Sequence, residues 1–301
     1  MKPRKILFFV NPISGSAGKK NELKKKISNF IIAKNIPFEI LDTKEDGNYD
    51  FLHDKIRLEK FTDVVICGGD GTINKIAAAL INLKVNIGII PGGSGNGLAF
   101  SVKIPAKTEE ALAVLFSAEA YPIDAFYINE SFSCMLCGIG LDAQIAHDFS
   151  RQNSRGLATY VKESFKNFID TGTYNFTITI NNNDINTDAF FISIANSNQF
   201  GNNFTIAPKA KVHDGLLDII VVQKMNKAKL VWAILKQLKF GKIMQISDSE
   251  ENIKDILYFQ TTSLKITNHN KAPLHIDGDP SETAEEFNIK ILPKSLNLIH
   301  P

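Results

Sequence analysis

The stretch Val64-Val65-Ile66-Cys67-Gly68-Gly69-Asp70-Gly71-Thr72-Ile73-Asn74 decides how this chain is read. An apolar run of the kind that forms a buried strand ends in glycines, an acid and a hydroxyl. It then passes into the helical pattern of Lys75 to Ile81. Each part answers a need of a bound polyphosphate. Glycines let backbone N–H groups approach phosphate oxygens, and the N-terminus of the following helix adds partial positive charge. Asp70 can hold a metal or receive a proton in the same place. The stretch therefore points to nucleotide-dependent phosphoryl transfer.

Two further glycine turns follow apolar runs. Asn11-Pro12-Ile13-Ser14-Gly15-Ser16-Ala17-Gly18-Lys19-Lys20 falls short of the Walker A spacing, and Pro91-Gly92-Gly93-Ser94-Gly95-Asn96-Gly97 carries no charge of its own. One glycine turn is usually only a turn. Three at comparable strand ends of one sheet would converge on the edge where α/β sheets bind ligands. The surrounding pattern supplies such a sheet. Strands are expected at Lys5–Val10, Phe38–Asp42, Asp63–Cys67 and Val85–Ile90, and helices at Asn21–Ala33, Phe51–Leu58, Asn74–Leu80 and Thr108–Ser117. Alternating β and α elements predict a parallel sheet covered on both faces.

The character changes near Tyr121–Tyr127. Short runs rich in β-branched and aromatic residues follow, at Tyr174–Ile180, Ala189–Ala195, Leu216–Val222, Ser263–Ile266 and Phe287–Leu292. Asn-rich turns such as Asn181-Asn182-Asn183-Asp184 separate them, which predicts a largely antiparallel second domain and a cleft between the two. One basic amphipathic helix is expected from about Asn226 to Gly241, with Leu230, Ile234 and Leu238 on one face and Trp232 among lysines on the other. It reads as a surface helix packed by its leucine face, with a lipid interface as the alternative.

Several motifs carry less. Cys134 and Cys137 form a C-x-x-C, but on a strand their side chains would point to opposite faces, and no second pair completes a zinc site. Three structural cysteines fit a reducing compartment. Gly138-Ile139-Gly140-Leu141-Asp142-Ala143 fits G-x-G-x-x-A, yet β-rich surroundings without a βαβ unit argue against dinucleotide binding. Asp214-Gly215-Leu216-Leu217-Asp218 fits a hard-cation site or a tight turn into a strand, Ile276-Asp277-Gly278-Asp279-Pro280 is another such turn with two acids, and Asp124 lies where the β domain begins; taken singly, each reads as structural. The six histidines have no ligand spacing and are assigned no chemistry.

Composition bounds the rest. The chain has 301 residues, enough for two domains, with 44% hydrophobic and 22% charged residues, as in soluble globular proteins. A net charge of +2, from 34 basic against 32 acidic residues, gives no warrant for nucleic-acid binding. The N-terminal apolar run stops at Asn11-Pro12, too short for a signal peptide. No run approaches the ~20 residues of a transmembrane helix. A cytoplasmic protein that visits the membrane surface is the expectation.

Together these residues resemble the diacylglycerol kinase catalytic-domain superfamily, which includes sphingosine, ceramide and bacterial lipid kinases. Asn11-Pro12 with Ser14-Gly15 is similar to its N-P-x-[SA]-G opening, Gly68–Thr72 to its G-G-D-G-T signature, and Pro91–Asn96 to its P-x-G-[ST]-x-N loop. Gly138–Ala143 resembles its G-x-G-x-D-A strand, Asp214–Asp218 its D-G-x-L-D segment, and Pro293–Leu296 its closing P-x-[AS]-L. G-G-D-G-T alone is shared with NAD kinases; the ordered set, spanning the chain, is far more specific.

The resemblance implies an N-terminal α/β ATP-binding domain (residues 1–125, joined by 292–301) and a C-terminal β-sandwich domain for the lipid site (126–291). It implies that Asn11, Ser14, Thr43, Gly68, Gly69, Asp70, Gly71, Thr72, Asn74, Gly93, Ser94 and Asn96 surround the nucleotide. Asp70 and Asp124 would position Mg²⁺, and Lys211, Asp214 and Leu216 would form a separate structural metal site, largely through carbonyls at Lys211 and Leu216. The family's catalytic base is the Glu of D-G-E; the matching position here is Asp279, one methylene shorter. The implied activity is ATP-dependent transfer to the hydroxyl of a membrane lipid, diacylglycerol- or sphingoid-like. An NAD kinase-like transfer to a soluble acceptor, and a weak or inactive nucleotide- or lipid-binding regulator, are the alternatives. Acceptor and oligomeric state stay open, a homodimer among the options.

Overall fold

A computed structural model describes residues 3–11, 17–150, 172–201, 204–226 and 255–301. They form two compact units, Met1–Ile123 with Lys294–Pro301, and Asp124–Pro293.

The first unit alternates β1 (Ile6–Val10), α1 (Ala17–Ile32), β2 (Phe38–Asp42), α2 (Leu52–Glu59), β3 (Asp63–Gly68), α3 (Asp70–Leu80), β4 (Asn86–Pro91), α4 (Gly97–Ser101) and α5 (Thr108–Ser117). The strands pair in parallel in the order β2-β1-β3-β4, with Phe8 opposite both Ile40 and Val65, and Ile66 opposite Ile89. The chain end Lys294–Pro301 extends this sheet, with Asn297 and Leu298 paired in parallel to Asn86 and Ile87. Every residue of β1 and β3 is buried, as a sheet covered on both faces requires. The order reverses at β1, whose successor β2 lies on one side and β3 on the other. This makes the C-terminal ends of β1 and β3 the topological switch point, where open α/β sheets place ligands.

Two helices start earlier than their patterns suggest, α1 at Ala17 instead of Asn21 and α3 at Asp70 instead of Asn74. The helix expected from Asn74 begins at Asp70, because an acid in the first turn suits the helix dipole and Gly69 supplies an extended N-cap. Gly71 and Thr72 are therefore helical, and the loop itself is only a residue or two long.

The second unit contains β5 (Ala120–Ile128, which begins in the first unit), β6 (Ser131–Ser133), β7 (Leu136–Gly140), α6 (Leu141–Ser150), β8 (Tyr174–Ile180), β9 (Asn183–Ala195), β10 (Gln199–Gly201), β11 (Phe204–Thr205) and β12 (Leu217–Gln223). It continues with β13 (Ile256–Thr261), β14 (Ser263–Asn268), β15 (Leu274–Ile276), β16 (Asp279–Ser281) and β17 (Glu286–Ile299), the last of which leaves the unit at Pro293. Its pairings are antiparallel. The sandwich turns on the long strand β9: residues 183–189 pair with β8, beside β14 and β17, whereas residues 189–195 run between β7 and β12. Phe126, Ile139, Phe176, Ile192, Ile219 and Phe287 belong to its central core. Leu141 and Ile145 of α6 join Leu136, Phe190 and Ile220 in a second cluster.

Asn181 and Asn182 both take positive φ, so β8 and β9 are joined by the Asn turn that the sequence marks. Two readings are corrected here. The Cys134–Cys137 segment is not one strand: the chain bends at Cys134–Met135, and of the two only Cys137 lies on β7, all three cysteines being buried and outside any disulfide. The Gly138–Ala143 motif does lead from a strand into a helix, α6, which the β-rich surroundings hid. That strand pairs antiparallel, so it is not a dinucleotide-binding βαβ unit. The helix expected near 226–241 falls almost wholly outside the described residues. Among the described residues no helix is long and apolar enough to cross a membrane.

Candidate active site

In the first unit Asn11, at the end of β1, and the loops after β2, β3 and β4 lie at one edge. Asn11 donates from its backbone N to Cys67 O at 3.0 Å and from Nδ2 to Thr72 Oγ1 at 3.0 Å, tying the end of β1 to the first turn of α3. Thr43 joins from β2, its N donating to Val10 O at 3.1 Å. Ser14 lies outside the described residues.

The loops after β3 and β4 touch backbone to backbone. Gly92 N donates to Gly68 O at 2.9 Å. A Cβ on Gly69 would stand 2.9 Å from Gly93 Cα, and one on Gly93 only 2.5 Å from Gly69 Cα. Both positions need glycine because main chain fills the space a side chain would take. Asn96, at φ 55°, clamps the second loop: its Oδ1 accepts from Gly93 N at 2.8 Å and its Nδ2 donates to Gly93 O at 2.9 Å. Asp70 stitches the two loops together, accepting from Gly97 N at 3.0 Å and Leu98 N at 3.4 Å. Ser94 is exposed and Asn74 half-buried on this edge. The result is a glycine-backbone rim at the start of α3, chemically suited to phosphate oxygens.

In the second unit Asp124 is fully buried. Its Oδ2 accepts from Gly215 N at 2.7 Å and its own N donates to Val212 O at 2.6 Å, so it fastens the loop that carries Lys211, Asp214 and Leu216. Asp214 accepts from Leu216 N at 3.1 Å and Gly215 has φ 76°, which makes this a tight turn into β12. Among the described residues no three His, Cys, Asp or Glu side chains gather as metal ligands. Mg²⁺ needs no such cluster, since one or two carboxylates with phosphates and water suffice, and the half-buried carboxylate of Asp70 offers hard oxygens of that kind.

The two acids of the Asp277-Gly278-Asp279 turn divide their work. Asp277 is buried and accepts from Ser133 Oγ at 2.6 Å and from the backbone N of Cys134, Met135 and Leu136 at 3.0–3.2 Å. Asp279, the position of the candidate base, is exposed and opens β16 opposite Ile276. Asp277 and Gly278, both at positive φ, make the two-residue turn between β15 and β16.

Two acids and a histidine gain structural context that sequence reading missed. Asp218 is buried beneath Tyr258, whose hydroxyl donates to it, and Gln260 Nε2 donates to the same oxygen at 3.2 Å. Burial pushes the Asp218 carboxyl up and lifts the Tyr258 phenol well above its usual range. Asp142 and His275 face each other across Gly138 at 3.6 Å. The D-A of the glycine motif signals Asp142; nothing local signals His275.

Comparison with known proteins places this geometry in a family. The diacylglycerol kinase catalytic domain matches residues 5–128, and the YegS C-terminal NAD kinase beta sandwich-like domain matches residues 136–300. "Probable lipid kinase YegS" of Escherichia fergusonii is 26% identical over 292 residues, covering 94% of this chain and 93% of that protein. An uncharacterized protein of Synechocystis is 26% identical over 79% of this chain, though the match spans only 54% of that longer protein. A crystal structure of a diacylglycerol kinase from Bacillus anthracis str. Sterne superposes with a TM-score of 0.77 at 24% identity, over 100% of this chain and 98% of that one, a likeness of fold. Two domain matches that together run nearly end to end, on a fold whose glycine loops meet at the switch point, establish that the chain belongs to the diacylglycerol kinase catalytic-domain family of lipid kinases, with a C-terminal domain of the YegS type.

Proposed function

We propose that the protein transfers the γ-phosphoryl group of ATP to the free hydroxyl of a membrane lipid, diacylglycerol- or sphingoid-like, at the membrane surface. The observation that carries this reading is the joining of the Gly68–Asn74 and Gly93–Asn96 loops beside Asn11 and Thr43 at the switch point of the first unit. Backbone amides there hold the phosphates, and fixed amides cost no reorganisation as charge shifts during transfer. Asp70 and Asp124 would each offer Mg²⁺ a carboxylate, directly or through water, and the ion would screen phosphate charge. The carbonyls of Lys211 and Leu216 with Asp214 would hold a second, structural ion. Asp279 takes the proton of the acceptor hydroxyl as its oxygen bonds to phosphorus and the bond to the ADP oxygen breaks.

The test is Mg²⁺-dependent transfer of labelled γ-phosphate to a total lipid extract. Products are resolved beside diacylglycerol, phosphatidylglycerol, ceramide and sphingoid-base standards, with Asp70→Asn as control. A labelled lipid lost in that variant supports the reading. ATP binding without any labelled lipid refutes it and favours a soluble acceptor or a regulator. Asp279→Glu restores the family's longer carboxylate and is expected to retain or raise the rate; total loss would remove Asp279 from the role of base.

A further inference from the structure

The hairpin that presents Asp279 is tied to the second unit by two separate devices. One is Asp277, whose carboxylate is sunk among the amides of the β6–β7 bend. The other is His275. Its ring is fully buried, and its Nδ1 accepts from Gly278 N at 3.3 Å, capping the residue immediately before Asp279. A ring that accepts at Nδ1 carries its proton on Nε2. That nitrogen faces Asp142 Oδ2 at 3.6 Å, a charge contact longer than a hydrogen bond, in which a carboxylate favours the tautomer with its proton on Nε2.

Asp142 is itself held. It lies in the first turn of α6, buried, with Oδ1 accepting from Ala143 N at 2.8 Å. Farther along the same helix His147 Nε2 bonds Leu274 O at 2.8 Å, so α6 grips β15 at two points. The carboxylate reaches the imidazole only because the strand residue beneath them, Gly138, has no side chain. Gly138 is the cross-strand partner of His275, and a Cβ there would fall 1.9 Å from Asp142 Oδ2 and 2.4 Å from His275 Nε2. Glycine, aspartate and histidine thus form one fitted set on three different elements.

From this geometry we propose that Asp142 and His275 are positioning residues for Asp279: they hold the Gly278 amide, and with it the short carboxylate, where the acceptor hydroxyl is deprotonated. The proposal rests on the reading of Asp279 as the base. A shorter acid has less reach, so its backbone has less latitude, and a ~1 Å misplacement costs about 10²-fold in rate.

The experiment compares two replacements of one ring. In His275→Asn the amide oxygen stands near Nδ1 and still caps Gly278; in His275→Gln the polar group reaches toward Nε2 and the cap is lost. Initial rates of labelled phosphate transfer from ATP to a total lipid extract in detergent micelles are measured at saturating and at low ATP, alongside thermal unfolding. The expected result is a 10- to 100-fold lower kcat for His275→Gln with KM for ATP within about twofold, and recovery to within about threefold of wild type in His275→Asn. His275→Gln at the wild-type rate overturns the proposal, and so does His275→Asn falling as low as His275→Gln, because that would mean lost packing rather than a lost acceptor. Should His275→Gln not fold, Asp142→Asn carries the same test: a kcat reduced severalfold at constant KM supports the proposal, and a wild-type kcat overturns it. Asp279→Asn separates the two levels. Full activity in that variant sinks the base itself. Its inactivity, beside a fully active His275→Gln, sinks only the positioning.

Discussion

Replacing Gly93 by alanine tests the contact on which the nucleotide reading depends. The added Cβ would lie 2.5 Å from Gly69 Cα, whereas ordinary contact begins at 3.4 Å, so the two loops must part by about 0.9 Å. The obstacle is main chain on both sides and has no rotamer by which to swing away. Overpacking of this kind costs about 1–3 kcal/mol. The larger effect is on function, because the same displacement moves the amide rim relative to the phosphates, and ~1 Å is enough for about 10²-fold in rate. Gly93→Ala should therefore lose 10- to 100-fold in ATP affinity and turnover, with the unfolding midpoint lowered by several degrees. Gly92→Ala is the matched control. Its Cβ would meet Gly68 Cα at 3.4 Å, an ordinary contact, and its rate should stay within about threefold of wild type. Calorimetric titration with ATP and the lipid-transfer assay measure both variants. Wild-type ATP binding by Gly93→Ala, or equal damage in the two variants, would refute the argument.

Other outcomes follow from groups deeper in the fold. Asp277→Ala strands a hydroxyl and three amides in the β6–β7 bend; at about 1–3 kcal/mol for a stranded buried donor, the loss should reach about 3–5 kcal/mol after relaxation, read by urea unfolding. Asp218 titrates higher in the folded protein than in the unfolded chain, so its contribution is fully present below the unfolded value and is lost as pH rises through the folded one. Asp218→Asn should accordingly flatten the decline of stability from pH 4 upward, measured by unfolding across that range; an unchanged slope would clear Asp218 of the effect. Burial pushes the Cys67 and Cys137 thiols up, and Cys134 is buried as well, so a thiol reagent at pH 8 should label none of the three until denaturant is added.

Much of this protein is legible in its residue order, for local reasons. Phe38–Asp42, Thr108–Ser117 and Tyr174–Ile180 fall where periodicity places them, because burial on one face or two leaves a repeat in the sequence. The Asn181-Asn182 turn and the glycine loops are visible because positive φ and close backbone approach restrict which residues serve. The α6 helix escaped because its first turn overlaps a glycine motif that reads as strand, and the start of α3 escaped because glycine inside a helix looks like loop.

What the order of residues could not decide is which of two like acids is buried. Asp277 and Asp279 stand two apart in one turn; the pairing of β15 with β7 sinks the first among the Ser133 hydroxyl and the amides of Cys134–Leu136 and leaves the second exposed. Nor could it place His275 over Gly138 and against Asp142, or Asp124 on Gly215. Those contacts join residues far apart in the chain, and strand register, a property of the assembled sheet, brings them within reach. Local chemistry therefore determined which groups the protein possesses, and tertiary packing decided which of them hold the structure and which remain available for chemistry.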